Sequence, residues 1–173
     1  MKRVLVVVDM QNDFIDGALG TKEAVSIVDN VAKKINEYKA NGDTVIFTKD
    51  THFEDYLSTN EGKNLPIRHC IKGTNGWEIS DKLDVGNSEI IEKPTFGFND
   101  WTNHLPKNED DLTIELIGLC TDVCVVSNAI IIKAQFPNAC LKVDASCCAG
   151  ITPQTHASAL ATMQSCQIEI MNT

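Results

Sequence analysis

Val4-Leu5-Val6-Val7-Val8-Asp9-Met10-Gln11-Asn12-Asp13-Phe14 decides the fold of this chain. Five apolar residues run without a polar interruption and end on a carboxylate. A strand with one wet face alternates apolar and polar positions, whereas a continuous run is buried on both faces, as in a parallel sheet covered by helices. The rest of the chain fits that reading. Ala24–Ala40 places Val25, Val28, Val31, Ala32, Ile35 and Tyr38 at helical spacing, and Asn41-Gly42 stops the helix. Thr44–Thr48, Ser88–Glu92, Leu112–Ile117 and Cys140–Val143 read as the second to fifth strands, and Ile168–Met171 as an edge strand. Val123–Ala134 and Thr155–Met163 read as helices, the second started by Thr152-Pro153. Strands alternating with helices imply an α/β fold with three α-β-α layers and a mostly parallel central sheet of about six strands.

The 173 residues fit one domain spanning 1–173. A formal net charge of −9 and the lack of a Lys/Arg cluster argue against a nucleic-acid partner. No apolar run approaches the roughly 18–20 residues that span a bilayer, which argues against a membrane. The basic start lacks the length and cleavage site of a secretion signal, so the expected location is cytoplasmic. Seven cysteines, an odd count, then read as reduced thiols, mostly small buried hydrophobes.

In a doubly wound sheet the chemistry gathers at the carboxyl ends of the strands. Three candidates stand there. Asp9 emerges straight after the first strand, while Asp13 and Asp16 read as loop acids. Lys93 follows the third strand, with Pro94, Phe96 and Phe98 beyond it. A lysine in such a place is most often solvated; Phe96 and Phe98 could line a flat substrate pocket, although alternate aromatics are most often core. Cys124 lies four residues beyond Cys120, after the fourth strand. Thr121 or Asp122 is a good cap for the helix that follows, so Cys124 falls in its first turn, where free N–H groups and the helix dipole favour a thiolate and could hold an oxyanion. Together, an Asp, a Lys and a helix-start Cys supply a proton acceptor, a charge and a nucleophile. A second group follows the second strand: Asp50 and His52, which point the same way in extended chain, then Glu61 and His69. Carboxylates with imidazoles suit zinc, iron or manganese. His104 and His156 stand outside both groups.

Val8-Asp9-Met10-Gln11-Asn12-Asp13-Phe14, Lys93 with Phe96, and Gly118-x-x-Thr121-Asp122-x-Cys124-Val125 resemble the isochorismatase-like cysteine hydrolases. The likeness runs in order from Val4 to about His156. It implies a six-stranded parallel sheet, a catalytic triad of Asp9, Lys93 and Cys124, a non-proline cis peptide before Cys120, and an oxyanion hole from the amides of Cys120 and Cys124. Within that family, Asp50, His52 and His69 fall where nicotinamidases carry metal ligands, and His69-Cys70-Ile71-x-Gly73-Thr74-x-Gly76 is similar to theirs. The resemblance implies a divalent metal (zinc, iron or manganese) that binds a pyridine nitrogen, and no organic cofactor. It also implies Phe14 and Trp77 as aromatics flanking the ring. The pattern departs where many nicotinamidases have a further His: Leu57 stands there, and Glu61 is the substitute. Asp50-Thr51-His52-Phe53 replaces the usual D-W-H-P, and the chain is shorter than many nicotinamidases.

The implied activity is hydrolysis of a small carboxamide, with nicotinamide as the leading substrate. The alternatives are a carbamoyl or ureido amidase and, from another class, a metabolite-binding or thiol redox sensor built on Cys120 and Cys124. Isochorismatase activity proper is disfavoured, since it does not use the thiol. Family members commonly form homo-oligomers, which is the expectation here.

Overall fold

The computed structural model describes residues 2–173. Six parallel strands form one sheet: β1 Lys2–Val8, β2 Thr44–Asp50, β3 Glu89–Lys93, β4 Leu112–Leu119, β5 Cys140–Ala149 and β6 Glu169–Met171. Their spatial order is β3-β2-β1-β4-β5-β6. The helices are α1 Asn12–Ile15, α2 Lys22–Ala40, α3 Asn60–Asn64, α4 Val126–Gln135 and α5 Pro153–Ser165.

The continuous apolar run behaves as its composition requires. Leu5 and Val7 join Val45, Phe47, Ile117 and α2 in one core, while Val4, Val6 and Val8 join Leu116, Val125, Ile132 and Met163 in the other. Helix α2 therefore covers one face and α4 with α5 the other, the three layers that the alternation of elements demands. The core face of α2 is turned slightly from the expected one: Ala24 and Ile27 are buried and Val25 is exposed.

Several features differ from the sequence reading. Strand β5 continues past Val143 to Ala149, through a shift in its pairing with β4. The polar residues Asp144 and Ser146 hide this extension, because Ser146 bonds the Asp144 carboxylate through both its N–H and its hydroxyl. Cys140 and Cys166 are exposed rather than buried, though all seven cysteines are free thiols. The helix expected from Val123 begins instead as a wide π-type turn over Thr121–Val125, which leads into α4.

Strand order reverses between β1 and β4, so a crevice opens at their carboxyl ends. Gly118 makes the junction possible. It pairs with Val8 and has φ +117°, and a Cβ there would sit 2.1 Å from the Val8 carbonyl oxygen. The Leu119–Cys120 peptide is cis, as the resemblance implies.

Candidate active site

Asp9 ends β1 with φ +46°, a left-handed conformation that aspartate tolerates better than most residues. It is fully buried. Thr48 on the neighbouring β2 orients it, donating its hydroxyl to Asp9 Oδ1 at 2.6 Å and accepting the Asp9 N–H at 3.2 Å. Lys93, at the end of β3, is also fully buried, contrary to the usual fate of a lysine after a strand. Its Nζ lies 2.6 Å from Asp9 Oδ2 and 3.7 Å from Asp50 Oδ1, and donates to the Thr95 carbonyl at 3.1 Å. β3 is two strands from β1, so the long lysine side chain reaches across β2 to pair with Asp9.

Cys124 lies in the wide turn after β4 and is buried. The helix start favours a thiolate, but the surroundings act against it. Burial, followed by the Asp9 charge, pushes the thiol well above its ordinary pKa, and Lys93 only partly opposes this. Burial likewise raises Asp9 against the pull of Lys93, with Asp50 adding to the rise. Lys93 itself is held charged, since Asp9 and the other nearby negative groups outweigh the cost of burying it. The corner thus sets a thiol raised by burial beside a carboxylate that is a better proton acceptor than an exposed one.

The metal-type residues converge on the far side of the crevice. His52 and Ile71 form a parallel bridge, with the His52 N–H donating to the Cys70 carbonyl at 2.9 Å and the Lys72 N–H to the His52 carbonyl at 2.9 Å. This local pairing sets His69 beside His52. Thr59 caps α3 and places Glu61 in its first turn. Ligand atoms of Asp50, His52, Glu61 and His69 all lie within 4.8 Å of one another. His52 Nε2 is 2.9 Å from Asp50 Oδ2 and 3.4 Å from Glu61 Oε1, and His69 Nε2 is 3.6 and 3.8 Å from the same two atoms. His69 Nδ1 donates to the Ile67 carbonyl at 2.8 Å, which leaves Nε2 as the lone pair facing the cluster. Asp50 Oδ1 and His52 Nε2 are buried without hydrogen-bond geometry to any partner. Burial disfavours a charged imidazole, yet Asp50 and Glu61 outweigh it and raise His52 to about 9. Two orphaned buried donor atoms and a surplus of negative charge fit a divalent cation.

Between the two groups lies a cavity of about 180 Å³ whose lining includes Phe14, Asp50, His69, Phe96, Cys120 and Cys124. That is smaller than the roughly 300–1,000 Å³ of drug-sized pockets, so it suits a single small ring. Phe14 packs 5.6 Å from the His69 ring, and Phe96 stands half-exposed at the mouth. The structure does not bring Trp77 into this cavity. Its indole donates to Thr51 Oγ1 at 2.9 Å, and Lys49 Nζ sits 3.0 Å from the ring centroid, behind the Asp50 segment.

Sequence reasoning passed over several supporting residues. Gln11, buried, clamps the Asp50 backbone by donating to its carbonyl at 2.8 Å and accepting its N–H at 2.7 Å. Asp13 is no plain loop acid, since it accepts the Cys70 N–H at 2.8 Å next to His69. Tyr56 packs against both imidazoles, 4.6 Å from His52 and 5.0 Å from His69. Asn128 ties the Phe96 segment to the Cys124 turn, donating to the Cys124 carbonyl at 2.8 Å and accepting the Phe98 N–H at 2.9 Å. A lone polar residue on an apolar helix face was the signal for Asn128, and Gln11 between Asp9 and Asp13 carried none.

Known proteins share this arrangement of elements. The nicotinamidase/pyrazinamidase of Mycobacterium tuberculosis is 27% identical over 191 residues, covering 98% of each chain. The pyrazinamidase of Pyrococcus horikoshii, solved in complex with zinc, is 26% identical with a TM-score of 0.83 over the whole of both chains. The N-carbamoylsarcosine amidase of Thermoplasma acidophilum is 27% identical with a TM-score of 0.79, over 99% of this chain and 96% of that one. The sequence profile of the Isochorismatase domain matches residues 3–173, from the first strand to the last, and the chain belongs to that family.

Proposed function

We propose that this enzyme is an amidohydrolase that converts nicotinamide to nicotinate and ammonia through a thioester on Cys124. The observation that carries this reading is one small cavity with a thiol–carboxylate–ammonium corner on one wall and a four-residue metal-type cluster on the other. Two relatives named for nicotinamide or pyrazinamide hydrolysis, one of them solved with zinc, support it.

Asp9 takes the Cys124 proton as the sulfur attacks the carboxamide carbon, so the thiolate exists only as the bond forms. The developing oxyanion is met by the amides of Cys120 and Cys124, at the start of the wide turn after β4. Asp9 passes its proton to the departing ammonia. It then takes a proton from the water that cleaves the thioester, and Cys124 recovers it as nicotinate leaves. Lys93 holds the Asp9 carboxylate in place and offsets its charge throughout. Asp50, His52, Glu61 and His69 would hold a divalent ion, which when bound supplies a Lewis acid for the pyridine nitrogen. Phe14 and Phe96 flank the ring plane.

A second reading, hydrolysis of a carbamoyl compound, is favoured by the likeness to the carbamoylsarcosine amidase. That chemistry has no ring nitrogen for the metal-type cluster to recognise. Ammonia release from nicotinamide, measured on purified protein with zinc, iron or manganese added and with Cys124→Ala alongside, decides between them. Release that vanishes in the variant supports the nicotinamidase reading. Absence of release by the wild type sinks it and moves the search to carbamoyl substrates.

A further inference from the structure

The two side chains best suited to cap the nucleophile helix are both engaged elsewhere. Cys120 occupies the cap position, with no side-chain cap bond. The hydroxyl of Thr121, which is fully buried, lies 2.8 Å from His156 Nδ1 in the first turn of α5. The Asp122 carboxylate accepts the Ile151 N–H, at 3.1 and 3.2 Å to its two oxygens. Both bonds leave the turn sideways, toward the chain between β5 and α5. Neither occupies an N–H of the turn; within it, the Val123 and Val125 N–H groups donate to the Cys120 carbonyl at 3.1 Å.

That neighbouring segment is close-packed on His156. A Cβ on Gly150 would come within 2.9 Å of both the Cβ and the backbone N of His156. The end of β5 therefore presses directly on the first turn of α5, with no room for a side chain between them. Gly150 and Ile151 also line the cavity, whereas His156 does not. Burial lowers the imidazole below its ordinary pKa, so it is neutral at neutral pH. A hydroxyl can donate to an unprotonated Nδ1 or accept from a protonated one, and the bond survives in either tautomer.

We propose that His156 is a positioning residue of this active site: acting through the Thr121 hydroxyl, it sets the place of the Cys120–Cys124 turn, and with it the nucleophile and the amides that face the substrate. The inference rests on the reading of Cys124 as nucleophile. A misplacement of about 1 Å at such a site can cost on the order of 100-fold in rate.

The test uses His156→Ala, Thr121→Val, their combination and His156→Asn, whose amide nitrogen reaches the place of Nδ1. In His156→Ala the kcat for nicotinamide should fall roughly 10- to 100-fold with little change in KM, because the ring-binding wall is untouched. Thr121→Val should lose as much, and the double variant no more than either single, since all three break one bond. His156→Asn should recover most of the turnover. The rate at which iodoacetamide alkylates Cys124, read by mass spectrometry, should fall and recover in step. A wild-type kcat in folded His156→Ala, fully additive losses in the double variant, or an asparagine variant as slow as the alanine one would each overturn the proposal. Should thermal unfolding show that His156→Ala does not fold, Thr121→Val and His156→Asn carry the test. A wild type that releases no ammonia from nicotinamide would overturn the substrate reading instead, and the alkylation rates would still decide the role of His156.

Discussion

Two clusters of buried charge lie in this molecule, and they differ in how they end. At the carboxyl ends of the strands, Asp9, Lys93 and Asp50 meet beside a cavity, with Asp50 Oδ1 lacking a hydrogen-bond partner. On the α2 face of the sheet, Lys34 lies 2.8 Å from both Glu115 and Asp144. There the acids are enclosed by neutral donors. Tyr38 donates to Glu115 at 2.6 Å, Ser146 to Asp144 at 2.7 Å, and Asn172 to Asp144 at 2.9 Å. Burying an ion is costly in both places and is tolerated only with partners. The second cluster also holds a buried oxygen without a hydrogen bond, Glu115 Oε1, and joins α2, β4, β5 and the chain end. The first opens through Asp50 onto a cavity and holds a thiol. Buried charge alone does not mark a site; buried charge with an open side does.

The largest effect that tests this contrast is on chemistry. Cys124→Ala should lower kcat for nicotinamide by about 10⁴-fold or more, the scale of removing a nucleophile, while the thermal unfolding midpoint barely moves. A variant that turned over at even a tenth of the wild-type rate would break the assignment of the open cluster. Next, His69→Ala removes one of the four groups proposed to hold a cation. Zinc affinity, followed by competition with a chromophoric chelator, should drop beyond the roughly 10–100-fold cost of losing an outer partner. Cys124 should still be alkylated by iodoacetamide in that variant, because the two walls of the cavity are separate.

The closed cluster should respond in stability. Asp144→Ala leaves Lys34 beside a single acid in a largely buried place. The expected loss is about 3 kcal/mol, or a Tm roughly 6–12 °C lower, with turnover per folded molecule unchanged. Equal Tm values for variant and wild type in calorimetry would show that the cluster contributes nothing. The smallest effect is in acid. Burial alone would raise Asp144, but hydrogen bonds from Lys34, Ser146 and Asn172 hold it below its ordinary value. A depressed carboxylate stabilises the fold above its unfolded pKa of about 3.9 and loses that contribution as pH falls through the folded value. Urea midpoints of the wild type should therefore decline more steeply below about pH 4 than those of Asp144→Asn. Parallel declines would remove Asp144 from the acid response.

Much of this was legible in the sequence. Val4–Val8, Thr44–Thr48 and Leu112–Ile117 are apolar runs whose burial on both faces follows from composition, and Thr152-Pro153 marks the start of α5 through local backbone chemistry. Asp9, Lys93 and Cys124 were visible because each directly follows such a run or opens the next helix. Other features depend on partners distant in the chain. Thr121 and Asp122 look like caps, and only the approach of residues 150–156 turns them outward. Trp77 looks like a ring-binding aromatic until Lys49 and Thr51 take it to the far side of Asp50. The thiolate expected from the helix start yields to burial and the Asp9 charge.

Sequence by itself determined the layers, the parallel sheet and which residues stand at the strand ends, because periodicity and caps act over a few residues and need no distant partner. The tertiary structure decided which of those ends meet. The order β3-β2-β1-β4 sets Lys93 within reach of Asp9, and the His52–Ile71 pairing sets His69 beside His52. It also set the burial of Cys124 and the engagement of His156. Burial and pair distances are sums over residues from the whole chain, and no local stretch contains them.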